Sequence, residues 1–374
     1  MQQTVYIAGS GTYLPGDPIP FSDIDKMLGT LNDAPRKIKH WMAHTAPVMA
    51  ELLDIRYLHY AIDPVTREFT DDNITMSVKA ARIALDHAGI VPEEIDLICY
   101  GSAHQDQMPT ASVQIQEALG VGQCAELSIH ANCTSAYKAL HLARHLIAHG
   151  GHRNALVLSS NVSSSELRAE YYNQPLVDRE SLFLRWFLCD GAGALILTAD
   201  PERSKGFEVE HTYIESIGTG KRPHMFNYRP ALWINPKEEY EKAMHHLRQR
   251  FRNSLATDVF QTPDGSIFRN GFNRMLRKAA AEIDLDSIAL FQINLPSKHI
   301  ADSVKDELEQ LGMDRSVFYS KLSELGYSGP PMVFICLDKI LREETVTPGR
   351  RVAGFVTEVS KFMQAGYVMR RHEG

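Results

Sequence analysis

His130-Ala131-Asn132-Cys133-Thr134-Ser135-Ala136-Tyr137 joins two patterns. Before it, the strand-like run Ala125–Ile129 stops. After it, Ala136, Leu140, Ala143, Leu146 and Ile147 recur at helical spacing until Gly150-Gly151 ends the helix. A thiol at such a junction lies at the positive end of a helix dipole. That position favours the thiolate and turns a weak side chain into a nucleophile. A buried structural cysteine is the alternative, since free cysteines are often buried. Asn132, Thr134 and Ser135 argue for the nucleophile, because a purely structural core has no need of so many polar groups at a strand-to-helix turn.

Working outward, the 374 residues, 44% hydrophobic and 23% charged, suffice for a large core in one big or two similar domains. A net charge of −7 offers no basic field for nucleic acid. No apolar run reaches the ~18–20 residues of a membrane span, and Met1–Ala8 reads as the start of a strand rather than a signal peptide, so a cytoplasmic location is expected. The five cysteines (99, 124, 133, 189 and 336) are odd in number, widely spaced and without a CxxC pair. That arrangement predicts reduced thiols, with no zinc or other metal site and no disulfide framework.

The chain repeats itself. Met76–Gly89 reads as an amphipathic helix, Val91–Ile95 as a turn, Asp96–Tyr100 as a strand and Gly101–Met108 as a loop. Phe272–Ile283, Asp284–Asp286, Ile288–Ile293 and Asn294–His299 follow the same order. The Cys133 helix has a counterpart in Pro331–Leu341, entered through Gly326–Pro331 and closed before Pro348-Gly349. After the Cys133 helix come the strand Ala155–Ser159, a long loop from Asn161 to about Arg185, a tight turn at Asp190–Ala194 and the strand Leu195–Thr198, and Ala199–Gly206 reads as a link between the halves. Glu238–Phe251 reads as a charged, solvated helix. Alternating helices and strands in two similar halves predict a layered α/β fold, with halves at 1–200 and 201–374.

These features together resemble the thiolase superfamily, and within it the β-ketoacyl-ACP synthase III-like condensing enzymes. The resemblance runs over Ile55–Tyr60, Ala80–Ile90 with Ile95–Leu97, Pro109–Gln116, Asn132–Thr134, Asp190–Ala194 and Gly366–Arg370. It implies a five-layer α-β-α-β-α architecture from two pseudo-symmetric halves, assembled as a homodimer. It also implies loading of an acyl group onto Cys133 from acyl-CoA or acyl carrier protein, with no cofactor. Met108 falls where the family reaches across the dimer to line the partner's acyl tunnel; an ordinary core methionine is the alternative.

The chain departs from the family at three places. Asn294 stands where a His is usual, and Tyr327 where an Asn is usual. Thr357–Phe362 replaces a glycine-rich loop whose backbone N–H, here that of Lys361, completes an oxyanion hole with the N–H of Cys133. Asn294 and Tyr327 remain possible donors to a developing enolate. Three groups stand as possible bases. His299, together with Lys298, also suits docking of carrier-protein or CoA phosphates. His130 also suits a satisfied core position. Glu358 would have a raised pKa if desolvated, or could pair with Lys361. Arg56 and Arg185 are minor candidates for holding an anion.

The function expected is condensation: an acyl-enzyme on Cys133 passed to a malonyl- or β-ketoacyl-type carbanion in a specialised pathway. Two alternatives stand beside it. One is acyl transfer to an oxygen or nitrogen nucleophile without decarboxylation. The other is a non-catalytic thiolase-fold subunit of a heteromeric partner.

Overall fold

A computed structural model of the chain describes residues 3–104, 107–173, 175, 177, 179–227, 251–253, 260–280 and 282–372. Most of Glu238–Phe251, expected as a charged helix, lies outside the described residues.

Ten strands form the main sheet: β1 (Tyr6–Tyr13), β2 (Leu97–Ser102), β3 (Ala125–His130), β4 (Asn154–Val162), β5 (Asp190–Thr198), β6 (Phe207–Ser216), β7 (Ile288–Gln292), β8 (Phe318–Tyr319), β9 (Arg351–Glu358) and β10 (Met363–Arg371). Their order is β8-β7-β9-β10-β6-β1-β5-β4-β2-β3. Read outward from the seam, the first half runs β1-β5-β4-β2-β3 and the second β6-β10-β9-β7-β8. The two orders are the same once five is added to each number. Directions agree as well, β2 lying parallel to β3 and β4 as β7 lies parallel to β8 and β9. Within the sheet, β1 and β6 join the two halves through the pair Tyr6↔Glu208.

The longer helices among the described residues are α1 (Arg36–Leu53), α2 (Asn73–Ala88), α3 (Ala111–Leu119), α4 (Ser135–Ala148), α5 (Ile267–Arg277), α6 (Lys298–Glu309) and α7 (Met332–Glu343). α4 packs on β2 and β4 of its own half and on β6 of the other, while α7 packs on β1 and β5 of the first half. These two helices are the middle layer. α2 covers the outside of β1, β4 and β5, and α5 covers β9 and β10 with α6 beside it. The result is the expected α-β-α-β-α stack. A polar strut joins the halves across it: Asp338 of α7 accepts from Ser10 Oγ of β1 at 2.7 Å and from Arg342 Nε at 2.6 Å, and Arg342 also donates to the Ser10 carbonyl.

Several sequence expectations change. Asp190–Ala194 is not a turn but the first half of β5. Its small residues serve close packing, since a Cβ on Gly193 would sit 2.6 Å from that of Phe334 on α7. Asp190 is buried and accepts from Ala61 N and Ser164 N, each at 2.8 Å. The loop expected from Asn161 to Arg185 is instead buried along much of its length and includes the helical turn Arg179–Phe183. The helix expected at Phe272–Ile283 is α5, which starts earlier because Ser266 caps it by accepting from Arg269 N. α1 was not anticipated. Ile38, Met49 and Leu53 on its inner face are buried, but Pro47 punctuates the sequence pattern. No described helix is long and apolar enough to cross a membrane.

Candidate active site

β3 ends at His130, Ala131 N donates to the Ser102 carbonyl, and Ser135 N donates to the Asn132 carbonyl at 2.9 Å, closing a turn around Cys133 before α4 begins. Gly101 in β2 makes room for this turn: a Cβ there would lie 2.4 Å from the Ser135 carbonyl oxygen. Gly101→Ala is therefore expected to displace the start of α4. The expected cost is about 1–3 kcal/mol of stability, read as a lower midpoint in urea.

The structure brings part of the expected set together. The Tyr327 hydroxyl donates to Cys133 Sγ at 3.2 Å. Glu358, at the end of β9, is buried and accepts from Thr134 N at 3.0 Å, from Thr134 Oγ1 and from Ser360 Oγ. It thus satisfies an orphan donor beside the start of α4 and ties the second half to the cysteine turn. The alternative pairing with Lys361 does not form, because Lys361 Nζ donates to the Lys221 carbonyl. Asn294 is only 7% exposed, and neither end of its amide has a hydrogen-bond partner.

The electrostatics correct one expectation. The residue Cys133 is half-buried, but its sulfur is packed deeply enough that desolvation pushes the thiol up to about 12, and the Glu358 charge adds to the rise. The hydrogen bond from Tyr327 and the cysteine's own N–H work in the opposite direction. The resting residue is a neutral thiol, because loss of hydration outweighs what the turn's dipole and donors provide. Its alkylation rate by iodoacetamide is expected to climb about tenfold per pH unit from 7 to 10 without a plateau. A plateau below pH 9 would contradict this environment.

Other candidates lie elsewhere. His130 is exposed at the end of β3, where its Nε2 meets the Ala103 carbonyl at 3.0 Å; it is not a core histidine, because the strand ends before its side chain is covered. Lys298 and His299 open α6 and are exposed. Ser297 just before them donates to the Leu52 carbonyl of α1 at 3.2 Å. Met108 is 91% exposed, not a core residue. Lys361 lies in the tight connection between β9 and β10, followed by Phe362, which is fully buried in a left-handed conformation (φ 57°). Arg56 is exposed and donates to Ser323 Oγ, whereas Arg185 is buried and donates to Asp25 Oδ1 and to the Gly29 carbonyl. Arg185 and Trp186 help line a cavity of about 660 Å³ beside α1. None of Cys133, Asn294 or Tyr327 lines it.

Two residues escaped the sequence reading. Tyr137, in the first turn of α4, follows Cys133 by four residues. Its ring is 2% exposed and its hydroxyl has no hydrogen-bond partner. His224 is 7% exposed with Nδ1 unpartnered, and burial lowers its pKa, leaving a neutral imidazole. The backbone N–H groups of His224 and Met225 donate to the Val359 carbonyl, and the Asn132 amide meets Met225 Sδ at 2.9 Å. His224 therefore borders the cysteine turn. No pattern in the sequence marks it.

The comparisons with known proteins agree with the geometry. The family model for 3-oxoacyl-[acyl-carrier-protein] synthase III matches residues 127–218, the stretch that carries Cys133 and Asp190. The altered positions 294, 327 and 361 lie beyond it. A β-ketoacyl-[acyl-carrier-protein] synthase III of Methylococcus capsulatus is 25% identical over 348 residues, covering 92% of each chain. Among solved structures, the tetronic acid condensing enzyme AbyA1 superposes with a TM-score of 0.74 at 22% identity, covering 98% of this chain and 100% of that one. The 3-oxoacyl-(acyl carrier protein) synthase III of Pseudomonas aeruginosa gives 0.72 at 18% identity, covering 99% of both. The chain shares its fold with these solved synthases, including the repeated strand order and the central pair of helices. The family-model match and the 25% identity along most of the chain show a likeness to the β-ketoacyl-ACP synthase III condensing enzymes.

Proposed function

We propose that the chain is a condensing enzyme that carries an acyl group on Cys133 and passes it to a malonyl- or β-ketoacyl-type carbanion, in a specialised pathway. The observation that carries this reading is the Tyr327 hydroxyl on Cys133 Sγ, in a cluster that retains an unpartnered amide at Asn294. In loading, Sγ attacks the carbonyl carbon of an acyl-CoA or acyl carrier protein thioester, and the bond to the pantetheine sulfur breaks. The proton of the Cys133 thiol leaves with the departing thiolate, so the high thiol pKa needs no permanent ionisation. The Cys133 and Lys361 backbone N–H groups are the proposed oxyanion donors. No cofactor enters this scheme. Lys298 and His299, exposed beside α1, suit the phosphate of a pantetheine carrier. A homodimer in which exposed Met108 reaches the partner's acyl tunnel completes the proposal.

A second reading, transfer to a hydroxyl or amine, is favoured by His224, a buried neutral imidazole able to take the acceptor's proton. Intact-protein mass measurement of wild type and Cys133→Ala after incubation with acyl-CoAs and acyl carrier proteins tests both readings at their shared step. An acyl mass on wild type alone is expected. No adduct from any donor would leave the fold as a non-catalytic partner subunit.

A further inference from the structure

Condensation requires donors to the thioester oxygen of the incoming malonyl unit as it becomes an enolate. The side chains expected to supply them are Asn294 and Tyr327, yet Tyr327 is committed to Cys133 Sγ. Asn294 has one Nδ2 group left to offer. An enolate oxygen buried with a single donor would be poorly stabilised, since a desolvated anion depends on fixed hydrogen bonds in place of water.

The unpartnered polar atoms around the cysteine turn are therefore informative. Ser135 Oγ, Tyr137 Oη, His224 Nδ1 and both ends of the Asn294 amide are buried without a hydrogen bond. Such orphans are rare in native proteins and call for an explanation. Tyr137 is the one that registers both sides of the site. Burial raises its pKa, the Asn294 amide lowers it, and a charge on Cys133 would raise it. Its hydroxyl and the Asn294 amide are thus close enough to interact, yet neither is spent on a well-aligned hydrogen bond. Two neighbouring donors without well-aligned partners can serve one incoming acceptor oxygen. The Tyr137 ring is fixed on the other side by Tyr367, 6.0 Å away between centroids, whose own hydroxyl donates to Gln292 Oε1. Tyr137 is held in place while its hydroxyl makes no well-aligned hydrogen bond.

We propose that Tyr137 is a catalytic residue that supplies, with Asn294, the hydrogen bonds to the thioester oxygen of a malonyl-type extender. This rests on the condensing reading above. In the step, the carboxylate carbon–carbon bond of the extender breaks, CO2 departs, and the electron pair enters the enolate whose oxygen the two donors hold. The enolate carbon attacks the acyl carbonyl on Cys133 and forms the new carbon–carbon bond. The tetrahedral intermediate then expels the Cys133 thiolate, which takes one proton from solvent. One acyl-enzyme, one malonyl thioester and one proton give one β-ketoacyl thioester, one CO2 and the free thiol.

The role separates two half-reactions. Tyr137→Phe should take an acyl group from acyl-CoA at the wild-type rate and extent, then react with malonyl-CoA about 10²–10³-fold more slowly. Asn294→Leu should show the same split, and the double variant should lose little beyond either single one, because both donors serve one oxygen. If Tyr137→Phe unfolds, 3-fluorotyrosine at position 137 keeps the shape with a more acidic hydroxyl and is expected to change the malonyl rate without changing loading. Wild type that loads and condenses while Tyr137→Phe and the fluorinated protein match it at both steps would overturn this proposal alone. Wild type that accepts no acyl group, or loads and releases no CO2, would remove the condensing reading and this role with it.

Discussion

Tyr327→Phe is expected to slow both acylation and iodoacetamide alkylation of Cys133 by about 10–10²-fold at pH 8. The Tyr327 hydroxyl donates to Sγ and is a named cause of a lower thiol pKa, set against a larger upward push from burial. A hydrogen bond to a charged acceptor is worth about 1.5–3 kcal/mol, and losing it makes the thiolate correspondingly scarcer. The fold should tolerate the change. The ring keeps its place against Phe187, 6.2 Å between centroids, and the sulfur left behind is a weak acceptor that loses little in the thiol form. Stability within about 1 kcal/mol of wild type, with slowed alkylation, is the expected pair of results. Unchanged alkylation would mean that the hydroxyl does not control the nucleophile.

Glu358→Gln should move the same observable the other way. The carboxylate's charge raises the Cys133 pKa, so a neutral amide makes the thiolate easier to form, and alkylation should be about threefold or more faster at pH 8. The sign follows directly: a lower thiol pKa shifts the whole pH–rate line toward acid, whereas Tyr327→Phe shifts it toward base. The gain in reactivity comes with a loss of stability. Glu358 receives three hydrogen bonds from Thr134 and Ser360, and an amide has a single oxygen to receive them. About 1–3 kcal/mol of destabilisation is expected from the donors left unmatched. Movement of both variants in one direction would contradict the assignment of Glu358 as a structural anchor whose charge opposes the thiolate.

The repeated helix–strand order and the Cys133 junction were legible because both are local patterns of hydrophobic spacing. Asp190–Ala194 was misread as a turn because small residues signal close approach without saying whether the chain bends there. Only the packing of β5 on Phe334 distinguishes the two. Position 327 could be recognised as a departure from the family, but its contact with Cys133 spans 194 residues of chain and depends on α4 and α7 meeting in the middle layer. The neutral state of the thiol was illegible for a related reason. A junction at the start of a helix reveals a dipole, while the desolvation that outweighs it comes from both halves. Glu358 was rightly placed against the cysteine turn, yet its hydrogen bonds make it a cap where a base was considered. Tyr137 stood inside the quoted motif and received no role, since an aromatic residue at helical spacing reads as core until its hydroxyl is found unpartnered.

The central claim is that an acyl group on Cys133 is consumed by a decarboxylating extender. The most direct measurement is a single turnover: enzyme carrying one acyl group on Cys133 is mixed with carbonyl-labelled malonyl thioester, and the protein mass, the CO2 and the small-molecule product are followed together. One CO2 released and one β-ketoacyl thioester formed for each acyl group lost from Cys133 is the predicted result. An acyl group that persists, or that leaves to water, a hydroxyl or an amine with no CO2, would contradict it.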